Sequence, residues 1–409
     1  MEDLLFLSHR IPYPPNKGDK IRSYHLLQSL AKRYRIHLAC FIDNPEDWQY
    51  VEANKGMIAG ESCFIALNPT LAKFRSLSGF LTDQPLTIPY YKDREMARFI
   101  KQILAEKPIK KIVVYSAALS QYVLGQNSLA AKKVVDFVDV DSDKWLQYAK
   151  DMWGIKRWVF TREAKKLLTY ERKLANTFNA SLFVSQAEAE LFKTLAPESS
   201  TKIDYWENGV DQQFFSPTIK HENPYPQEKI PLVFTGAMGY RPNVDAVVWF
   251  AEKILPLIRQ KINNTEFFIV GGGATPQVQQ LEQLDGVTVV GGVDDIRPYI
   301  AHARVAVAPL RIARGIQNKV LEAMAMARPV VATQQAIEGI PLPKSLERWV
   351  NNGEAEFAKN VLELLDNNAE KQNGDSQLAK EAALAGLQLV KKQYNWEDNL
   401  KRVLQVLEG

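Results

Sequence analysis

At 409 residues the chain is too long for one ordinary hydrophobic core and fits two to three domains of roughly 150 residues each. With 46% hydrophobic and 24% charged residues it has the make-up of a globular protein, and a net charge of +4 excludes any nucleic-acid footprint broader than a local patch. Two cysteines, Cys40 and Cys63, are too few for a disulfide framework and suit a reducing compartment.

The N-terminal MEDLLFLSHRIPYPP begins acidic and holds only about five apolar residues before His9 and Arg10, too short for a signal-peptide core. No window approaches the roughly 18 uncharged apolar residues of a membrane span. The expectation is a cytoplasmic protein, at most peripheral on the inner face of a membrane. Short apolar runs then alternate with helical patterns. The first half predicts strands at LLFLS (4 to 8), IHLACF (36 to 41), CFIAL (63 to 67), IVVYS (112 to 116), KVVDFV (133 to 138) and SLFVS (181 to 185). The second half repeats the rhythm with LVFTG, FFIVGGG, VTVVGG, VAVAPL and PVVAT. Helical stretches such as RSYHLLQSLAKRY, DREMARFIKQILAEK and NVDAVVWFAEKILPLIRQKI separate them, and one long final helix is expected over roughly 376 to 408.

Strands separated by helices of this length argue for parallel sheets covered on both faces. Two such series argue for an α/β chain of two Rossmann-like, doubly wound domains facing a cleft. The stretch ENGVDQQFFSPTIKHENPYPQEKIP, rich in Pro, Asn and Gln, marks the boundary. The division expected is 1–205, 206–385 and a terminal helix at 386–409.

Several clusters carry potential chemistry. His9 and His25 flank a loop at Gly18, where Lys17, Lys20 and Arg22 read either as phosphate contacts or as solvated surface. The acidic run DFVDVDSDKW offers Asp136, Asp139, Asp141 and Asp143, which could bind a divalent metal, act as a base, or cap the following helix. KDMWGIKRWVFTREAKKLLTYERK (150 to 173) interleaves cations with Trp153, Trp158 and Phe160, suiting either an anionic membrane surface or a partly buried helix with a wet outer face. The triplet Gly271, Gly272 and Gly273 lacks the third glycine of a dinucleotide fingerprint and reads as a close approach to a nucleotide or as a turn.

The stretch RIARGIQNKVLEAMAMARPVVAT (311 to 333) places cations before a helix start, which is already positive through its free N–H groups and dipole. That arrangement calls for an anion. Gly315 would let the backbone approach it, and the N–H groups from Ile316 through Asn318 to Lys319 would face it. Arg311, Arg314 and Lys319 would add charge for a phosphate or diphosphate. Glu322 could accept hydrogen bonds from sugar hydroxyls. A solvated charged loop before a core helix is the alternative.

GIQNKVLEAMAMARPVVAT resembles the donor-site segment of retaining GT-B-fold glycosyltransferases of family 4. SLFVSQAEAELF with Glu207 to Asp211 (ENGVD), LVFTGAMGYRPN, FFIVGGG, VTVVGGVDDIRPYIAHARVAVAPL and the late Asn395-Trp396 are similar to further segments of that family, in order. So is PYPPNKGDKIRSYHLLQSLAKRY near the start. The resemblance is greatest to sugar transferases found beside PEP-CTERM/exosortase exopolysaccharide loci.

It implies a nucleotide-sugar donor carrying UDP or GDP, a glycan or lipid-linked acceptor, retention of configuration and no metal. It implies that Glu322 holds the ribose, that Lys319, Arg314, Arg311 and Arg241 neutralise the diphosphate, and that Gly236 lies in the first nucleotide loop. It places Asp139, with Asp141 next, on the acceptor side. The chain departs from the pattern in two places. Arg314 stands where many members carry the first of two glutamates, and Ala237 stands where many carry an arginine after the glycine. Positive charge is therefore read as moved between loops. The alternatives are a nucleotide-sugar epimerase of the same fold and a two-lobed binding protein.

Overall fold

The computed structural model describes residues 1–16, 18–125, 131–150, 152–313, 315–365 and 376–409. Each of the eleven apolar runs contains a strand, and the chain divides into two compact units. The first comprises 1–208 and 397–409, the second 209–396. The boundary expected at 385/386 falls inside the helix Gln377–Gln393.

The first unit is a parallel sheet of seven strands: β1 (Glu2–Ser8), β2 (Tyr34–Ile42), β3 (Ser62–Ala66), β4 (Ile109–Tyr115), β5 (Lys132–Val138), β6 (Ala180–Phe183) and β7 (Ile203–Tyr205). They lie in the order β3-β2-β1-β4-β5-β6-β7. Leu4, Leu5, Phe6 and Leu7 are all fully buried, as strands covered on both faces require. The second unit has five parallel strands: β8 (Ile230–Thr235), β9 (Thr265–Val270), β10 (Val287–Gly291), β11 (Val305–Ala308) and β12 (Val330–Ala332). Their order, β10-β9-β8-β11-β12, reverses direction between β8 and β11. Open α/β sheets bind ligands beyond the carboxyl ends of their strands at such a reversal.

Three features differ from the sequence expectation. β7 has only three residues and so carries no periodicity to read. The helix expected over 243 to 262 runs Arg241–Arg259 with a π turn at Phe250–Ile254, just before Pro256, whose ring and missing N–H interrupt the hydrogen-bond ladder. The long final helix is two, Gln377–Gln393 and Trp396–Glu408. The break occurs where the Tyr394 carbonyl accepts the Val210 N–H at 2.9 Å and Asn395 bridges to Val210. Gly209 is required there, since a Cβ would lie 2.7 Å from the Trp396 ring.

Lys20 and Arg22 are neither surface nor phosphate contacts. Both are buried on the helix Gly18–Ala31, and Lys20 pairs with Asp47 at 3.0 Å. Arg22 is fully buried and uses all five guanidinium donors. Two go to Asp136 (3.0 and 3.3 Å), and the others to the Trp206 carbonyl, Asn208 Oδ1 and the Phe183 carbonyl (2.9, 2.9 and 3.2 Å). Asp136 in turn accepts the Trp206 indole N–H at 2.9 Å and the Val138 amide at 3.0 Å. The Trp206 ring also lies 3.6 Å from the guanidinium carbon. Replacing Asp136 by Ala would strand this charge, and loss of one partner of a buried pair costs about 3–5 kcal/mol. Urea unfolding of Asp136→Ala is expected to show a loss of that size; a change under about 1 kcal/mol, the level of an exposed pair, would contradict this account.

Candidate active site

At the carboxyl ends of β8 and β9, two glycines let the chain close on itself. Gly236 donates to the Val270 carbonyl at 3.0 Å, and Gly271 to the Gly291 carbonyl at 2.7 Å. Both have positive φ, and a Cβ on Gly271 would overlap the Gly236 carbonyl. A Cβ on Gly236 would lie 2.7 Å from Asn243 Nδ2 and 3.1 Å from Lys319 Nζ. The glycine therefore opens space directly over a lysine. Gly272 continues the strand end and accepts the Met238 N–H at 2.8 Å, so the triplet serves a packed turn.

Lys319 lies in the first turn of the helix Asn318–Ala325, which buries Val320, Leu321, Ala323, Met324 and Ala325. Its ammonium donates to Asn243 Oδ1 at 2.6 Å and sits 4.2 Å from the centre of the Phe234 ring. Asn243 is fixed by its own bond to the Ala237 carbonyl at 3.0 Å. Among the described residues no carboxylate lies within ion-pair distance of Lys319. Burial lowers its pKa to about 7, against the pull of Glu322. Burial likewise raises Glu322, one turn along, to about 7, against the pull of Lys319. The helix start adds to the demand for an anion, because Gln317 at the cap position supplies no side-chain hydrogen bond to it.

The remaining candidates separate. Arg311 is already compensated by a two-pronged pair with Asp245 (2.5 and 3.0 Å). Arg241 is exposed at the start of its helix. Gly315 has φ +69°, which only glycine adopts freely, and its carbonyl accepts from Gln317 Nε2 at 3.0 Å. Ile316 packs on the core of the second unit, and Asn318 is half-buried in the first helical turn. Arg314 lies outside the described residues.

In the first unit Gly18 opens its helix with nothing near its Cβ position. Asp139 and Asp141 both hold Lys144, at 2.6 and 3.3 Å. Burial opposes the charge on Lys144, but Asp141 and Asp139 outweigh it and hold its pKa above the ordinary lysine range. Asp139 follows Val138, a β-branched residue at φ +70°, a strained turn fixed by the Asp136 carboxylate. Among the described residues no three His, Cys, Asp or Glu are grouped to hold a metal ion.

Asn243 and Phe234 are the parts of the lysine site that sequence reading missed. The polar Asn243 beside a helical apolar run was the one available signal; nothing local marks Phe234. Residues 229–367, which span this whole cluster, match the family model described as glycosyl transferases group 1. The second unit is thus similar in sequence to group 1 glycosyl transferases.

Three solved structures share the fold of this chain over essentially its whole length. Sucrose-phosphate synthase of Thermosynechococcus elongatus has TM-score 0.67 and 16% identity, covering 99% of this chain and 98% of that one. HepE of Anabaena in complex with UDP has TM-score 0.64 and 13% identity, covering 100% and 99%. TarM of S. aureus in complex with fondaparinux, alpha-GlcNAc-glycerol and UDP has TM-score 0.63 and 12% identity, covering 100% of both. No curated protein matches the sequence.

The lysine–glutamate pair has a pH signature. Glu322, with its pKa raised from 4.5 to about 7, contributes stability that is present below pH 4.5 and lost as pH rises through 7. Lys319, lowered from 10.5 to about 7, contributes stability present above pH 10.5 and lost as pH falls through 7. The protein is therefore expected to show a dip in stability near pH 7 from this pair. Denaturation of the wild type and of a Lys319→Met, Glu322→Gln double variant across this range should show the dip only in the former; parallel profiles would refute it.

Proposed function

We propose that the protein moves a sugar from a UDP- or GDP-sugar to a glycan or lipid-linked acceptor, with retention of configuration and without a metal, in exopolysaccharide synthesis. The observation that carries this reading is Lys319, a desolvated lysine with no described carboxylate partner, beneath Gly236 and at a helix start without a side-chain cap. A diphosphate supplies the missing anion. HepE, solved with UDP and glucose, and TarM, solved with UDP beside a glycan, lend it support by likeness.

In this reading the bond from the anomeric carbon to the diphosphate breaks, and the charge that develops on the leaving oxygen falls to Lys319 and the N–H groups that begin its helix. The acceptor oxygen bonds to the same face of the sugar, and its proton passes to the departing phosphate. Glu322 receives the ribose hydroxyls, and Asp139, held by Lys144, orients the acceptor hydroxyl. Arg311 contributes least, being occupied by Asp245.

A charged hydrogen bond to phosphate is worth about 1.5–3 kcal/mol, so Lys319→Ala should weaken UDP or GDP binding about 10- to 100-fold and leave the bare nucleoside nearly unaffected. Calorimetry against both ligands checks this, and equal losses would return the stretch to a charged loop. Because Lys319 titrates near 7, nucleoside diphosphate binding at pH 8 should also take up a proton, read from the heat in buffers of different ionisation enthalpy.

Asp139→Asn should lower turnover with donor affinity kept; transfer at the wild-type rate would remove its role. Transfer should survive EDTA. Activity lost in EDTA and restored by magnesium or manganese would assign the diphosphate to a metal instead.

A further inference from the structure

The segment PTLAKFRSLSGFLT (69 to 82) forms two short helices, Pro69–Ser76 and Ser78–Leu81. Leu71, Phe74, Leu77 and Leu81 recur on it every three or four residues, and all face solvent, Phe74 being 69% and Leu81 91% exposed. A second apolar strip begins the helix Gly154–Thr177. Trp153 is 89% exposed, and Ile155 and Trp158, one turn apart, are exposed as well. The strips join where Phe80 stacks on Trp158, with ring centres 6.0 Å apart and planes 8° from parallel.

The junction is built rather than incidental. Arg162 lies over Phe80 at 4.8 Å and donates to the Gly79 carbonyl at 2.8 Å. Glu163, buried, accepts the Leu86 and Thr87 amides at 2.7 and 3.1 Å. These bonds hold the loop against the long helix and fix an apolar face that the described residues leave uncovered.

Charge says what covers it. The Gly154–Thr177 helix has two acids, Glu163 and Glu171, and both are turned inward and buried. Its outward positions carry Lys156, Arg157, Lys165 and Lys173, with no ion-pair partner among the described residues, besides Lys166 paired with Asp83 and Arg172 paired with Glu198. The 69 to 82 stretch adds Lys73 and contains no acid. Large exposed apolar side chains ringed by cations match a bilayer interface with anionic headgroups. Among the described residues no helix is long and apolar enough to cross a membrane.

We propose that this face docks the protein peripherally on an anionic lipid bilayer, Trp153, Ile155, Phe74 and Leu81 entering the headgroup boundary and the flanking lysines and arginines meeting lipid phosphates. The proposal does not rest on sugar transfer, and its test needs no donor or acceptor.

The full chain is sedimented with vesicles of phosphatidylcholine alone and of phosphatidylcholine mixed with phosphatidylglycerol. Binding is expected to the mixed vesicles and to weaken as salt screens the charges. Trp153→Ser with Leu81→Ser, and separately Lys156→Gln with Arg157→Gln, should each reduce it on the order of tenfold. All four positions are exposed, so the variants should keep the wild-type melting temperature and nucleoside diphosphate affinity. Equal binding to neutral vesicles, no binding to either kind, or unchanged binding by both variants would overturn the proposal. So would a lipid-free dimer, by sedimentation velocity, that the apolar variant dissolves, since it would assign the face to a second copy of the chain.

Discussion

The first unit is organised around a positive charge that has been taken entirely out of water. Desolvating a guanidinium is costly unless every N–H finds an acceptor and a counter-charge lies in contact. Arg22 meets both conditions, and meeting them draws four separate pieces of chain to one point: the Gly18–Ala31 helix, the end of β5, the end of β6 and the segment after β7. Asp136 then does double duty, since the carboxylate that neutralises Arg22 also holds the Val138 amide. That bond sustains the left-handed turn that presents Asp139. Asp139, for which an acceptor role is proposed, thus owes its position to an ion pair buried several residues before it.

The second unit treats its half-buried cation in the opposite way. Lys319 has a neutral amide and an aromatic face for company, where Arg22 has a carboxylate and a full set of acceptors. A fold that could have paired Lys319 leaves it at a pKa near 7 beside a glutamic acid raised to the same value. Perturbed pairs of this kind cluster where a ligand completes the electrostatics. The two cations therefore differ by one criterion: whether the protein itself supplies the compensating charge in contact with them.

The doubly wound order could be read from the sequence because apolar runs like LLFLS and FFIV, buried on both faces, repeat with helices between them. β7 escaped because three residues hold no period. The break at Tyr394–Asn395 escaped because its cause, the Val210 bridge, lies far away in the chain. Of the candidate site, Gly236, Gly271, Lys319 and Glu322 could be singled out from the sequence, since glycines at strand ends and charges in the first turns of a helix are local features. Partnerships were not. Lys20 and Arg22 looked like phosphate contacts or surface because Asp47 and Asp136 are remote in sequence, and Arg311 looked like a free cation because Asp245 lies 66 residues earlier.

That last pairing changes what the cation-rich stretch before the Asn318–Ala325 helix means. Read as sequence, its positive residues compete for one anion and should repel one another in its absence. In the fold, Arg311 is neutralised by a two-pronged carboxylate and stacks toward Trp249, 5.3 Å from its ring, so it braces the loop against the Arg241–Trp249 helix. The same helix supplies Asn243, which holds Lys319. One helix therefore spends an acid on the outer arginine and an amide on the inner lysine. Exchanging these roles would pin Lys319 in a salt bridge and remove the phosphate contact proposed for it. The difference of one carboxylate, placed two residues along a helix, separates a cation that the fold neutralises from one that it leaves with a neutral partner.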